Sequence, residues 1–277
     1  MAMTSQSIRA TTMDASLLTQ YFERIGLSDT PTLDERGLRL LHQNQHRSIP
    51  FENFDVVSGK GIDLDPAAVF HKLVAEKRGG YCFEVNGLLL RVMQTLGFDA
   101  RPLLGRVHLS GQPTGRSHQL SLVMLGEQSW LVDAGFGANT PRQVMPLVLN
   151  REMTFDYQTL RFVERADYGV MLQSKNGDEW SDLYSLDLGF VCPADIQYGN
   201  HFTSTHPSSV FTNACVAVMP TPNGITTLLN NRLTIRDGNN TEQLFLNDEH
   251  SYFSALKQHF GIAPRVPFDV LKGYFGE

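Results

Sequence analysis

The chain has 277 residues, which predicts about two domains, and its 42% apolar and 19% charged side chains suit a packed core and exclude wholesale disorder. A net charge of −6 excludes a nucleic-acid binder that relies on a basic face, and no apolar run approaches the roughly 18 residues a membrane helix needs. The polar stretch Met1 to Asp14 lacks the apolar region of a secretory signal, and three scattered cysteines, Cys82, Cys192 and Cys215, make no disulfide framework and fit a reducing cytoplasm.

The tail up to Asp14 is expected to fray. Asp14 can then cap a helix through Leu17, Leu18, Tyr21, Phe22 and Ile25, stopped by Gly26. Thr32 can cap a second helix carrying Leu33, Leu38, Leu40 and Leu41, which ends before Ile49-Pro50. A third runs from about Pro66 to Lys77. After the break at Gly79-Gly80, Cys82, Val85, Leu88, Leu89, Val92, Met93 and Leu96 form one helical stripe, and Gly97 supplies the C-terminal stop. Cys82 therefore opens a largely buried helix.

Beyond Gly97 the period changes to that of strands. Strands are expected over 101–109, 118–125 and 129–133, the last two as a hairpin turned at Gly126-Glu127. Others are expected at 153–163, 168–174, 183–190, 214–220, 224–229 and 232–236. A last helix starts at Asn247 or Asp248, carries Tyr252, Phe253, Leu256 and Phe260, and stops at Gly261. Helices followed by antiparallel strands and a mixed tail indicate an α+β fold.

A thiol at a helix N-terminus lies where unpaired N–H groups and the helix dipole favour its thiolate, and where the same groups can receive an oxyanion. Glu84, close by in sequence, opposes a thiolate. If the turn around Leu125 to Gln128 has even length, His118 and Asp133 share a face of the hairpin, directly opposed or one pair displaced. Asp133 can then orient the imidazole and His118 can accept the Cys82 proton, which makes a candidate Cys–His–Asp triad. An odd-length turn would separate them.

Four segments in order resemble the arylamine N-acetyltransferase family: Ile-Pro-Phe-Glu-Asn-Phe-Asp at 49–55, Arg-Gly-Gly-Tyr-Cys-Phe-Glu-Val-Asn at 78–86, Thr-Gly-Arg-Ser-His at 114–118, and Leu-Val-Asp-Ala-Gly-Phe-Gly at 131–137. The similarity continues weakly to His206-Pro207-Ser208-Ser209 and fades over the last 60 or so residues. It implies a helical bundle over 1–97, an antiparallel β-barrel over 98–200 and an α/β lid over 201–277, around a papain-like Cys-His-Asp core. It implies acetyl transfer from acetyl-CoA to an aromatic amine or hydrazine by a ping-pong route, with Cys82 acetylated, His118 as base and acid, and Asp133 orienting it. No metal is implied. Thr114, Gly115, Gly135, Gly137 and Ser209 are the residues implied near CoA, and Phe51 and Phe136 near the acceptor. The assembly state is open, with a homodimer as one candidate. Within the same resemblance some relatives close a macrolactam; a cysteine hydrolase or transglutaminase-like enzyme shares the Cys, His, Asp order, and a catalytically idle binding module is the reading least suited to a complete triad.

Other motifs carry less. His42 and His46 have metal-capable spacing but lack a zincin glutamate, and read as a polar helix face. Cys192 and Cys215 read as strand fillers. Arg78 and Glu52 are expected to brace the turn that presents Cys82.

Overall fold

A computed structural model describes residues 12–275. The expected fraying before Asp14 falls mostly on residues 1–11, outside the described residues. The first helix, α1 (Ala15–Ile25), is capped by Asp14, whose carboxylate accepts the Leu17 N–H at 2.8 Å, and Gly26 ends it in the left-handed region. In α2 (Glu35–Ser48) the cap is Asp34, not Thr32: Asp34 accepts the Gly37 N–H, and the Thr32 hydroxyl donates to Asp34 at 2.7 Å. The more acidic acceptor takes the cap, and Leu33 is left outside the helix with its side chain exposed. A short strand β1 (Phe51–Glu52) and the turn α3 (Phe54–Val57) follow. Helix α4 (Pro66–Phe70) is capped by Asp65 and continues as a π-helical turn, His71–Ala75. Helix α5 (Cys82–Leu96) begins and ends where its stripe and Gly97 place it.

The strands that follow are β2 (Asp99–Val107), β3 (Arg116–Leu125), β4 (Gln128–Val132), β5 (Met145–Pro146), β6 (Met153–Phe155), β7 (Gln158–Arg165), β8 (Gly169–Asn176) and β9 (Glu179–Leu186). They form one antiparallel sheet in the order β5-β4-β3-β2-β9-β8-β7-β6. The expected strand 153–163 is two strands, because Asp156 takes a positive φ and turns the chain into a hairpin. The strand expected at 183–190 lies earlier, at 179–186. Leu103, Leu120, Leu131, Met145, Met153, Phe162, Leu172 and Leu186 from all eight strands meet in one buried cluster, so the sheet curls around its own inner face. Its outer face, through Val123, Trp130 and Val132, packs on the core of α1, α2, α4 and α5.

Two helices then intervene, α6 (Pro193–Thr205) and α7 (Val210–Asn213). Sequence periodicity did not indicate α6, because only Thr203 and Ser204 of it are fully buried and no apolar stripe marks it. Cys192 is therefore the N-cap of a helix rather than a strand filler. Strands β10 (Val216–Thr221), β11 (Gly224–Leu229), β12 (Arg232–Asp237) and β13 (Asn240–Phe245) make a second antiparallel sheet, with β1 added at its edge. Helix α8 (Glu249–Ala255), capped by Asp248, continues as a π-helical segment to Phe260 and covers this sheet, and α9 (Phe268–Lys272) closes the described chain. No helix among the described residues is long and apolar enough to cross a membrane.

Candidate active site

The segment before α5 is held by buried charges. Arg78 donates twice to Glu52 Oε1, at 2.9 and 2.7 Å, and once to Asp55 at 3.2 Å. Lys72 Nζ lies 2.7 Å from Glu84 Oε1 and 3.0 Å from Asp55 Oδ2. Glu84 Oε2 turns back to accept the Tyr81 N–H at 3.1 Å, which satisfies a backbone donor at the start of α5. The expected bracing by Arg78 and Glu52 is thus present and buried, and Glu84 spends its charge on Lys72 and the cap. At Gly79 a Cβ would fall 2.3 Å from the Pro50 carbonyl oxygen, so only glycine lets the turn lie this close to β1.

This brings Cys82 to the first position of α5, buried, with Sγ 3.8 Å from the Ser117 carbonyl. Strand β3 delivers His118 beside it. In the β3–β4 hairpin Leu125 faces Gln128 and Ser121 faces Val132. The turn is even, and one further pair would put Leu120 opposite Asp133. His118 is therefore one same-face pair displaced from Asp133, and its Nε2–H donates to Asp133 Oδ2 at 2.7 Å. The other ring nitrogen is left for Cys82, which is close enough to favour the protonated ring. Burial disfavours the imidazolium, but Asp133 and Cys82 outweigh it and push the His118 pKa up to about 10. Burial would raise the Asp133 carboxyl, yet His118, the Gly135 N–H and Asn86 together hold it below the usual carboxylate range.

Asn86 was not singled out from the sequence as a site residue. Its Nδ2 donates to Asp133 Oδ1 at 2.9 Å and to the Gln119 carbonyl at 2.6 Å, while its Oδ1 accepts the Ala134 N–H at 2.8 Å. The signal was available: Asn86 lies four residues after Cys82, one turn along the same helix face. His42 is a second such residue, its Nε2–H donating to the Asp133 carbonyl at 2.8 Å. The polar-face reading of His42 and His46 is corrected here, since both are buried and both imidazoles are held neutral, His42 by burial down to about 4. No cluster of metal-capable side chains exists among the described residues.

The ring of Phe136 lies 4.7 Å from that of His118, and Tyr184 packs on both at 5.0 and 4.8 Å. Phe51 packs with Tyr81, Cys82 and Phe83 in another buried cluster. A Cβ on Gly135 would sit 3.3 Å from Cys82 Cα, and Gly137, with φ +60°, lies under the Phe51 ring. Of these, Gly135 and Phe51 pack against Cys82, and Phe136 and Tyr184 against His118. Gly115 and Ser117 line a cavity of about 260 Å³ with Leu104, Tyr198 and Phe202. The Thr114 hydroxyl accepts the Val107 N–H at 2.9 Å and bonds Ser117 Oγ at 2.8 Å, which ties the loop before β3. Ser209 caps α7, and its hydroxyl donates to the Thr203 carbonyl at 2.6 Å. Cys215 is buried against Tyr252, and burial pushes its thiol up to about 12.

A family model described as N-acetyltransferase matches residues 33–266. The arylamine N-acetyltransferase of Escherichia coli (strain K12) is 36% identical over 250 residues, covering 89% of each chain. The arylamine N-acetyltransferase structure from Salmonella typhimurium superposes with a TM-score of 0.89 at 30% identity, over 95% of this chain and 100% of that one. A Mycobacterium marinum arylamine N-acetyltransferase in complex with CoA superposes with a TM-score of 0.84 at 31% identity, over 93% and 97%. The chain therefore belongs to the arylamine N-acetyltransferase family, and it is an acyltransferase of that type.

Proposed function

We propose that this enzyme transfers an acetyl group from acetyl-CoA to an arylamine or arylhydrazine through an acetylated Cys82, by a ping-pong route. The observation that carries the reading is the placement of His118, hydrogen-bonded to Asp133 and close enough to Cys82 for that cysteine to favour its protonated ring. Cys82 Sγ attacks the thioester carbonyl carbon as a thiolate, its charge opposed by the His118 imidazolium. The oxyanion is received by N–H groups of the first turn of α5. As the carbon–sulfur bond of the thioester breaks, His118 gives its proton to the departing CoA sulfur. An arylamine nitrogen then attacks the acetyl-cysteine, His118 takes the proton from that nitrogen, and the amide leaves with Cys82 Sγ again a thiolate beside imidazolium. Asp133, fixed by Asn86 and the Gly135 N–H, holds the ring through both halves.

The donor enters past Thr114, Gly115, Gly135 and Gly137: open space adjoins Gly115 next to Ser117, and Gly135 lies against the Cys82 backbone. Ser209 contributes through the shape of the α6–α7 corner, since its hydroxyl is spent there. Phe136 and Phe51 form the apolar walls that seat the acceptor ring and limit water. The three-part division at 1–97, 98–200 and 201–277 is kept as a functional description; the helix Pro193–Thr205 bridges its second boundary, and β1 joins the first part to the sheet of the third.

The test is quench-flow with acetyl-CoA and no amine. A burst of free CoA stoichiometric with enzyme is expected, with one acetyl group on the peptide containing Cys82, discharged by an aniline and slowly by water. Amine acetylation without acetyl on Cys82 would establish direct transfer in a ternary complex instead.

A further inference from the structure

We infer that His42, on α2 and outside the triad, is a positioning residue for the reaction: by holding the Asp133 main chain it sets the alignment of Asp133 with His118. The inference rests on the triad reading proposed above. Asp133 lies one residue past the last rung of the β3–β4 ladder, Ser121 opposite Val132, so the ladder supplies no partner for its carbonyl. His42 Nε2 takes that place at 2.8 Å. A carbonyl can only accept, so Nε2 carries the ring proton and Nδ1 is a bare lone pair. Nδ1 is buried and has no hydrogen-bond partner among the described residues. A hydrocarbon side chain of similar size would fill this place without leaving a buried acceptor unpaired. The bond to Asp133 is what an imidazole adds here.

Helix α2 holds that donor in a fixed frame. Three residues before His42, the Arg39 guanidinium lies 5.5 Å from the centre of the Trp130 ring on β4. Three residues after it, Gln45 Nε2 donates to the Val85 carbonyl of α5 at 2.9 Å, and Gln45 Oε1 accepts the Tyr21 hydroxyl at 2.7 Å. At this spacing the three side chains lie along one side of the helix. The helix is thus seated both on the strand that leads into Asp133 and on α5, which carries Cys82 and Asn86. Burial, the His46 ring 5.7 Å away, and the Arg39 and Arg142 cations keep the His42 ring uncharged against the pull of Asp133. It is therefore the same neutral donor throughout the neutral pH range. Asn86 and the Gly135 N–H hold the Asp133 carboxylate, and His42 holds the peptide plane from which that side chain leaves. Freeing the carbonyl lets the plane turn and loosens the carboxylate from His118 Nε2.

The test compares His42→Met, which keeps the volume and removes the N–H, with His42→Gln, whose amide nitrogen lies as many bonds from Cα as Nε2 does. Each full-length variant is measured by ¹⁵N-histidine spectra and by steady-state acetylation of aniline with acetyl-CoA. In His42→Met the His118 protonation midpoint is expected to fall from about 10, by about one pH unit. Its kcat should fall about tenfold, the equivalent of one neutral hydrogen bond, with the KM for aniline unchanged. His42→Gln should restore both values. A purely structural ring would lower the melting temperature of His42→Met and leave the His118 midpoint of the folded enzyme in place. That result overturns the inference, as does a His42→Gln variant as impaired as His42→Met. If His42→Met does not fold, His42→Asn, whose amide stops one bond short of Asp133, should show the same two losses, and unchanged values there overturn the inference equally. Asp133→Asn is measured alongside. Low turnover in it together with wild-type values in the His42 variants leaves the triad standing and removes His42; turnover near wild type in the folded Asp133→Asn enzyme removes the triad reading and this inference with it.

Discussion

Lys72→Met tests whether the buried charges under α5 hold the cysteine turn. The substitution keeps the side-chain volume and removes an ammonium 2.7 Å from Glu84 and 3.0 Å from Asp55. Asp55 keeps Arg78 at 3.2 Å, but Glu84 is left with only the Tyr81 N–H. Breaking a buried pair from one side costs about 3–5 kcal/mol, a large share of the 5–15 kcal/mol by which proteins of this kind are stable. At about 2 °C per kcal/mol for a chain of this size, the melting temperature should fall by about 6–10 °C. Burial already raises the Glu84 carboxyl against the pull of Lys72, and without Lys72 it rises further. A carboxyl that binds its proton more tightly in the folded state gains stability as pH falls, so the deficit should shrink from pH 7 to pH 5. Adding Glu84→Gln should recover much of the loss, since the amide carbonyl can still accept from Tyr81. The assay is calorimetric melting of wild type, single and double variants at both pH values. A single variant melting within 2 °C of wild type, or a deficit that Glu84→Gln does not reduce, would refute the reasoning.

Cys82 should be alkylated by iodoacetamide much faster than Cys215, whose thiol burial pushes up to about 12; equal native labelling of the two would remove the special position of Cys82. Asp133→Asn should lower kcat/KM by roughly 10⁴, by analogy with the loss of the orienting carboxylate in serine proteases; turnover near wild type in the folded variant would take Asp133 out of the proposed mechanism. In ¹⁵N-histidine spectra, His118 should remain doubly protonated at pH 8 and lose its proton only as pH approaches about 10, whereas His42 should stay neutral down to about pH 4. Because His42 binds its proton more weakly folded than unfolded, its share of stability is complete above the ordinary histidine pKa and is lost as pH falls toward 4; a neutral His118 at pH 8 contradicts the ion-pair arrangement.

Much of the site was legible in the chain because its signals are short-range. The stripe from Cys82 to Leu96, broken before by Gly79-Gly80 and after by Gly97, specifies a helix and the place of the thiol on it. The two-residue turn at Gly126-Glu127 specifies the parity that puts His118 and Asp133 on one face. Other features depend on what packs against what. Helix α6 shows no stripe because all but two of its residues are partly or fully exposed. β13 is exposed along its length and escaped notice for the same reason. Pairing of Phe51 with Val218 joins residues far apart in sequence, which no local pattern encodes. Asn86 and His42 are polar residues whose partners come from other elements, so their roles exist only once α2, α5 and the β3–β4 hairpin are packed together. Periodicity and turn chemistry decided where Cys82, His118 and Asp133 sit along their own elements; the packing of those elements decided which buried groups hold them.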